Sequence, residues 1–150
     1  MGFEKISLKG RALKLLAARE HSRAELERKL KPHEEEPGSL QTALDELQAK
    51  DFINEQRVLE SVIHRRAGKL GGARLKQELQ AKGLDASAVS QALADLAPLE
   101  FERAREVWRK KFANPASGHE ERAKHARFLI ARGFSSEVVR RVVNLQHDEL

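Results

Sequence analysis

Catalysis in proteins depends on nucleophiles, bases and metal ligands at particular spacings, and this sequence offers few of them. Six histidines are spread along the chain, none stands four residues from another, and none belongs to a metal-ligand motif: His21, His33, His64, His119, His125 and His147. The sequence contains no cysteine, which excludes disulfides, thiolate zinc sites and a cysteine nucleophile. We therefore expect no catalytic residue, no metal site and no cofactor, and an enzyme is the least favoured class of protein.

Two short segments resemble ligand sites only superficially. The acidic run at 34–36 lies between Pro32 and Gly38, where we expect a turn with solvated carboxylates. The glycine pair at 71–72 lacks both the Lys-Ser/Thr that follows a phosphate-binding loop and the strand that precedes one. We expect this pair to break a helix and to act as a hinge.

The single tryptophan, Trp108, lies on the same helical stripe as Phe101 and Phe112. A stripe of this kind usually packs in a core, so we expect packing within or between repeats. A platform for stacking nucleic-acid bases is the less favoured alternative.

Basic residues are the most informative chemical feature. The formal net charge is +5 and the pI is near 9.7, which makes an acidic partner such as nucleic acid plausible. Residues 1–51 hold 10 Lys and Arg against 10 Asp and Glu, 52–100 hold 7 against 6, and 101–150 hold 11 against 7. We therefore expect any contact with a polyanion to begin in the C-terminal third.

Two groups of basic residues are the site candidates. Several of their members lack an acidic residue four positions away that could pair with them on a helix, although charged helix faces often serve only solubility. The first group is Arg65, Arg66, Lys69, Arg74 and Lys76, and the second is Arg109, Lys110 and Lys111.

The elements that carry these residues are predicted to be helices throughout. Apolar residues recur at spacings of three and four almost from end to end, and Pro, Gly and Ser divide the pattern into about nine short helices. Ser39 is expected to begin the third helix, and residues 146–150 to form a polar tail. The predicted helix starts are capping boxes at Ser22 with Glu25 and at Ser117 with Glu120, and N-caps at Asn54, Asp85 and Ser135.

An internal repeat organises these helices. An offset of 50 residues pairs Leu79 with Leu129, Gly83 with Gly133, and Val89 with Val139, and the first third fits the same frame less tightly. We predict an all-α fold of three tandem three-helix repeats, 1–51, 52–100 and 101–150, forming one continuous, elongated and curved array. No apolar segment reaches the length of a signal peptide or a membrane span, so we expect a soluble cytoplasmic protein without membrane contact.

The order and spacing of several short motifs resemble the RecX recombination regulators over roughly residues 8–144. These motifs are Ser-Arg-Ala-Glu-Leu at 22–26, Asn-Glu at 54–55, Gly-Gly at 71–72, Glu-Leu at 78–79, Lys-Gly at 82–83 and Arg-Gly-Phe at 132–134. The resemblance implies a regulator in DNA repair and the SOS response that binds the RecA recombinase. It also implies that the protein lies in the groove of the RecA–DNA filament and suppresses ATP hydrolysis and strand exchange.

The resemblance gives the two basic groups separate roles. Arg65, Arg66, Lys69, Arg74 and Lys76 are expected to face the filament, and Arg109, Lys110 and Lys111 to contact phosphates or acidic side chains. We expect a monomer, with at most weak direct contact to single- or double-stranded DNA. Two alternatives stay open: a helix-turn-helix-like protein that binds DNA independently of RecA, and a general helical scaffold.

Overall fold

The computed structural model describes residues 6–145, and within this range the chain is helical and contains no strand. It holds nine α-helices: α1 (Leu8–Ala18), α2 (Arg23–Leu30), α3 (Ser39–Ala49), α4 (Glu55–Arg66), α5 (Gly72–Ala81), α6 (Ala86–Leu96), α7 (Glu100–Lys111), α8 (Gly118–Ala131) and α9 (Ser136–Val143). Short 3-10 helices at Lys31–His33 and Ala97–Leu99 follow α2 and α6. The prediction of an all-α fold is confirmed, and the predicted polar tail at 146–150 lies outside the described residues.

Local capping explains where most helices begin. The capping box before α2 is confirmed, since the Glu25 N–H donates to Ser22 Oγ at 3.1 Å and the Ser22 N–H donates to Glu25 Oε1 at 3.1 Å. The predicted N-caps at Asn54, Asp85 and Ser135 are confirmed too, because each side-chain oxygen accepts a backbone N–H three residues later. Helix α3 begins at Ser39 as predicted.

Two local predictions are wrong, the capping box at Ser117 and the solvation of Glu34. Ser117 precedes α8 but its hydroxyl caps nothing, and its own N–H donates to Glu121 Oε2 at 2.6 Å rather than pairing with Glu120. Glu34 is not a solvated carboxylate, because its side chain is only 9% exposed, accepts from Lys31 Nζ at 2.6 Å and accepts from the Leu40 N–H at 2.9 Å. Its charge therefore stabilises the N-terminal end of α3.

The described chain divides into two compact units, each with its own hydrophobic core. The first unit comprises the described residues up to Ser61 together with Lys82–Leu84, and the second comprises Val62–Ala81 and residues 85–145. The core of the first unit is aliphatic and consists of Ala12, Leu26, Leu30, Leu40, Leu44, Leu47 and Ile53. In the second unit, the core joins α7, α8 and α9 and consists of Ala104, Val107, Trp108, Leu129, Phe134, Val139, Val142 and Val143.

The positions paired by the internal repeat have the same structural roles. Leu79 and Leu129 are both fully buried. Gly83 and Gly133 both have positive φ, +71° and +92°, in the turns that end α5 and α8. A non-glycine residue would be strained in that conformation, so the glycines permit the next helix to turn back onto the core.

Trp108 is a core residue, as its stripe predicts. Its side chain is 1% exposed, and its Nε1–H donates to His125 Nδ1 at 3.0 Å. Phe112, which follows the last residue of α7, stacks on the His125 ring with centroids 3.7 Å apart. Base stacking on Trp108 is therefore excluded in this conformation.

Candidate functional site

A basic cleft of about 390 Å³ opens on the surface of the second unit. Its floor contains Val107 and Phe128, and its wall includes Gly68. The cations around it come from three segments: Lys69 in the α4–α5 loop, Lys110 and Lys111 at the end of α7, and Arg132 just after α8. None of these seven lining residues is acidic. We call this site the basic cleft.

The positive charges of the basic cleft are not neutralised by other described residues. Lys69, Lys110, Lys111 and Arg132 form no ion pair within residues 6–145. The Lys111 ammonium lies 5.6 Å and the Arg132 guanidinium 5.0 Å from the centroid of the Phe128 ring. Such cation–π contacts orient the cations without removing their charge, so the basic cleft attracts anions.

The loop that carries Lys69 is held in place by a partly buried arginine. Arg103 on α7 donates from Nε to the Ala67 carbonyl at 2.8 Å and from Nη2 to the Leu70 carbonyl at 2.6 Å. Burial lowers the pKa of Arg103, and the nearby Glu100 carboxylate opposes this shift. These hydrogen bonds satisfy the carbonyl groups left free where α4 ends, and they fix the loop beside α7.

The glycine pair fixes the other side of the same loop. The Gly71 N–H donates to the Arg132 carbonyl at 2.8 Å, and the Gly72 N–H donates to Glu100 Oε1 at 2.9 Å. A Cβ atom on Gly71 would clash with the backbone of Gly133 and Phe134. The pair separates α4 from α5 as predicted, but the hinge interpretation is wrong, because a hinge is not anchored by packed and hydrogen-bonded backbone.

The structure brings only three of the eight predicted site residues into the basic cleft, Lys69, Lys110 and Lys111. Two others are engaged within the protein. Arg66 forms a bidentate contact with Glu78, 3.1 Å from Nε to Oε2 and 2.9 Å from Nη2 to Oε1, and this carboxylate raises the pKa of Arg66. Arg74 donates from Nη1 to the Ala131 carbonyl at 2.9 Å.

The remaining three predicted site residues are exposed. Arg65 at the end of α4 and Lys76 on α5 form no ion pair with any residue of 6–145. Arg109 lies 3.7 Å from Glu106 Oε2, one turn earlier on α7, and both side chains are about half exposed. An exposed pair at this distance contributes little to stability, so Arg109 remains available to bind an external ligand.

Arg132 and Phe128 are two of the cleft residues that sequence reasoning did not select. Their spacing of four places them on one face at the end of α8, which is a signal present in the sequence. In the sequence, Arg132 stands out only through the Arg-Gly-Phe motif at 132–134 and not as a member of a basic group. Among residues 6–145, no cluster of three or more His, Asp or Glu side chains is placed to hold a metal ion.

No helix within residues 6–145 combines the length and the apolar character needed to cross a membrane.

The helices and the basic cleft define the class of the protein: an α-helical repeat protein with a surface cleft surrounded by cations.

Comparison with known proteins identifies the family. Models of the first, second and third three-helix domains of RecX match residues 9–47, 54–93 and 99–143. The regulatory protein RecX of Leptothrix cholodnii is 54% identical over 144 residues, which cover 96% of this chain and 92% of that protein. The regulatory protein RecX of Ralstonia nicotianae is 46% identical over 138 residues, which cover 92% of this chain and 87% of that protein. The chain belongs to the RecX family of regulatory proteins.

A solved structure of RecX from Lactobacillus salivarius has the same fold. It superimposes with a TM-score of 0.74 over 91% of this chain and 92% of that chain, at 22% sequence identity. The likeness confirms the fold of three-helix repeats that the sequence predicted.

Proposed function

We propose that this protein binds the RecA recombinase, or the RecA–DNA filament, and inhibits its ATPase and strand-exchange activities. Membership of the RecX family supports a regulatory role, and the basic cleft is the observation that supports an anionic binding partner. The proposed setting is the bacterial cytoplasm, where the protein acts as a monomer in recombination, DNA repair and the SOS response. Its three repeats, 1–51, 52–100 and 101–150, are proposed to bind as one continuous repeat domain.

The basic residues are proposed to have direct or indirect roles in binding, according to their surroundings. Lys69, Lys110 and Lys111, joined by Arg132, bind acidic side chains or phosphates of the partner directly, because within the described chain their charges are uncompensated. The exposed Arg65, Lys76 and Arg109 extend this contact. Arg66 and Arg74 support it indirectly, since both are bound to groups of this chain.

The test is DNA-dependent ATP hydrolysis by RecA, titrated with this protein from substoichiometric to equal ratios at two salt concentrations. The cleft variant is the double substitution Lys110→Glu and Lys111→Glu. Its matched control is Lys124→Glu with Arg127→Glu, which reverses two exposed charges on α8 outside the basic cleft. We expect the cleft variant to need at least about tenfold more protein for half inhibition, and the control less than about threefold more.

Either of two results would contradict this proposal. The first is that the unmodified protein leaves RecA hydrolysis unchanged at both salt concentrations. The second is that the cleft and control variants inhibit equally well, which would separate the inhibition from the basic cleft.

A second candidate function is DNA binding independent of RecA, and the same basic cleft favours it because phosphates are also anions. Direct binding to a labelled DNA, measured without RecA, distinguishes the two. A high affinity that falls steeply with salt supports independent DNA binding, whereas weak binding to bare DNA supports the filament regulator.

A further inference from the structure

A second cleft with the same chemistry lies in the first unit and has no role in the function proposed above. It has a volume of about 460 Å³ and is lined mainly by α1, α2 and the 3-10 turn that follows α2. Its aliphatic surface includes Ile6, Leu15 and Leu30, and its basic residues are Arg11, Lys14, Lys29 and His33. Among its eight described lining residues none is acidic. We call it the first-repeat cleft.

The charges around the first-repeat cleft are largely uncompensated within the described chain. Arg11 and Lys14 form no ion pair with another residue of 6–145. Lys29 Nζ lies 3.1 Å from His21 Nε2, an imidazole nitrogen that cannot neutralise an ammonium. Two acidic residues, Glu35 and Glu36, line an adjoining pocket together with Arg11 and His33. Lys14 and Lys29 do not line that pocket, so they are the cations most available to a ligand.

The first-repeat cleft occupies the same position in its repeat as the basic cleft does in the third repeat. The fully buried Ala12 of α1 corresponds to the fully buried Ala104 of α7, and Leu30 of α2 corresponds to Leu129 of α8. Three residues after each alanine stand Leu15 and Val107, both on cleft surfaces.

The second helix of each repeat shows the same correspondence. Lys29 and Phe128 directly precede the two buried leucines, and His33 and Arg132 follow them by three residues. Three pairs of equivalent positions therefore line both clefts, so this part of the first-repeat cleft is a feature of the repeat.

The second repeat differs at one of these positions. Leu79 is the buried leucine of α5, and the residue before it is Glu78, where the other repeats have Lys29 and Phe128. Arg66 binds this carboxylate in a bidentate contact, so the charge of each is satisfied internally. The residue at this position of the second repeat is therefore engaged within the protein, whereas the exposed Lys29 of the first repeat has no carboxylate partner among residues 6–145.

The lining of the first-repeat cleft decides between the anions that could bind. Among its described lining residues none is Phe, Trp or Tyr, so the described part of the lining offers no aromatic platform on which a nucleic-acid base could stack. Its volume suits a few side chains, and its aliphatic surface between cations suits a ligand that is both apolar and anionic. We propose that the first-repeat cleft is a docking site for a short acidic protein segment that carries an aliphatic side chain.

The test measures binding of a fluorescein-labelled peptide of alternating glutamate and leucine to the full chain by fluorescence polarisation. A matched peptide with glutamine in place of glutamate reports how much binding depends on charge. Lys14→Glu places a carboxylate at the cleft, and Ile6→Ser removes an aliphatic side chain that is 53% exposed. Lys50→Glu is the control, since Lys50 is an exposed cation in the same unit outside the cleft.

We expect the acidic peptide to bind and the glutamine peptide to bind at least about fivefold more weakly. Lys14→Glu should weaken binding of the acidic peptide at least about fivefold, and Ile6→Ser should weaken it about twofold to threefold. Lys50→Glu should weaken this binding less than about twofold. Helicity and thermal unfolding of every variant are compared with the unmodified protein, and Lys14→Gln replaces Lys14→Glu if the latter does not fold.

Three results would overturn the docking site: no binding of the acidic peptide, an equal effect of Lys50→Glu and Lys14→Glu, or tighter binding of single-stranded oligothymidine that Lys14→Glu abolishes. The last result would assign the cleft to nucleic acid. Because the assay contains no RecA, its outcome is independent of the inhibition proposed above.

Discussion

The indole Nε1–H of Trp108 donates a hydrogen bond to His125 Nδ1 at 3.0 Å inside the core of the second unit. Indole nitrogen can only donate, so His125 Nδ1 carries no proton and the imidazole is neutral in this arrangement. The histidine ring is 5% exposed and is stacked on Phe112. Protonation of Nδ1 would break the hydrogen bond and place a charge in the core.

This relationship predicts that the second unit loses stability in mild acid. Burial lowers the pKa of His125 below its ordinary value of 6.5, an effect that Glu121 opposes and Lys124 reinforces. The unfolded chain therefore binds the proton more readily, and stability should fall as the pH drops below 6.5 toward the folded pKa. Urea unfolding followed by the fluorescence of Trp108, the only tryptophan, measures this directly.

The matched variants are His125→Phe and His64→Gln. His125→Phe should lower stability at neutral pH by about 1–3 kcal/mol, because it leaves the buried Trp108 N–H without an acceptor. It should also flatten the dependence on pH. His64 is exposed, so His64→Gln should preserve that dependence. An unchanged pH dependence in His125→Phe would assign the acid sensitivity to another group.

Gly71→Ala is expected to destabilise the second unit. The added methyl group would collide with the backbone of Gly133 and Phe134, which cannot move aside as a flexible side chain can. The expected loss is roughly 1–3 kcal/mol in the free energy of unfolding, measured by urea denaturation. Gly68→Ala is the control in the same loop, because no heavy atom lies within 4 Å of its Cβ position. Equal stability of the two variants would show that the loop can open at Gly71.

The features that the sequence could predict depend on neighbours in the chain. Ser22 and Glu25 cap a helix that begins beside them, and Gly83 and Gly133 permit turns whose conformation is set within a few residues. The buried Leu79 and Leu129 follow from helical periodicity. These local rules were sufficient for the all-α fold and the repeat.

The predictions that are wrong, and the site residues that the sequence did not predict, depend on contacts between distant segments. Arg66 lacks an acidic neighbour on its own helix, yet it binds Glu78 on α5. Lys69 joins Lys110 and Lys111 in one cleft only because Arg103 fixes the loop against α7. Spacing along one helix cannot reveal contacts between segments that are distant in the sequence. For this reason the sequence predicts two separate basic groups and not a single site.

Arg103→Met should loosen the loop that carries Lys69. The methionine fills part of the volume but cannot donate to the Ala67 and Leu70 carbonyls, so we expect a loss of about 2–3 kcal/mol in unfolding free energy. Hydrogen exchange of the loop amides should become faster. Arg109→Met on the same helix should change stability by less than about 0.5 kcal/mol, because its ion pair is long and exposed. Matching exchange rates in the two variants would contradict the anchoring role.

The first unit contains a carboxylate whose ionisation should govern its stability in strong acid. Burial alone would raise the pKa of Glu25, but hydrogen bonds from Arg19, Ser22 and Lys82 outweigh it and lower the pKa to about 2. The geometry agrees: Arg19 Nη2 lies 2.8 Å from Oε2, and Lys82 Nζ lies 3.1 Å from Oε1.

Because the pKa of Glu25 is lower in the folded state, its contribution to stability is fully present above its ordinary pKa of 4.5 and is lost as the pH falls toward about 2. The pKa shift of Glu25 corresponds to a stabilisation of the folded state of up to about 3 kcal/mol. Solvent screens this charge little, because the side chain is only 7% exposed. Glu25→Gln keeps the shape of the side chain but removes the charge, so it should lower stability at neutral pH and reduce the further loss between pH 4.5 and 2. Glu27→Gln, at a 40% exposed carboxylate on the same helix, should leave both nearly unchanged. Acid unfolding monitored by circular dichroism distinguishes the two, and an acid transition that Glu25→Gln leaves intact would mean that other carboxylates control it.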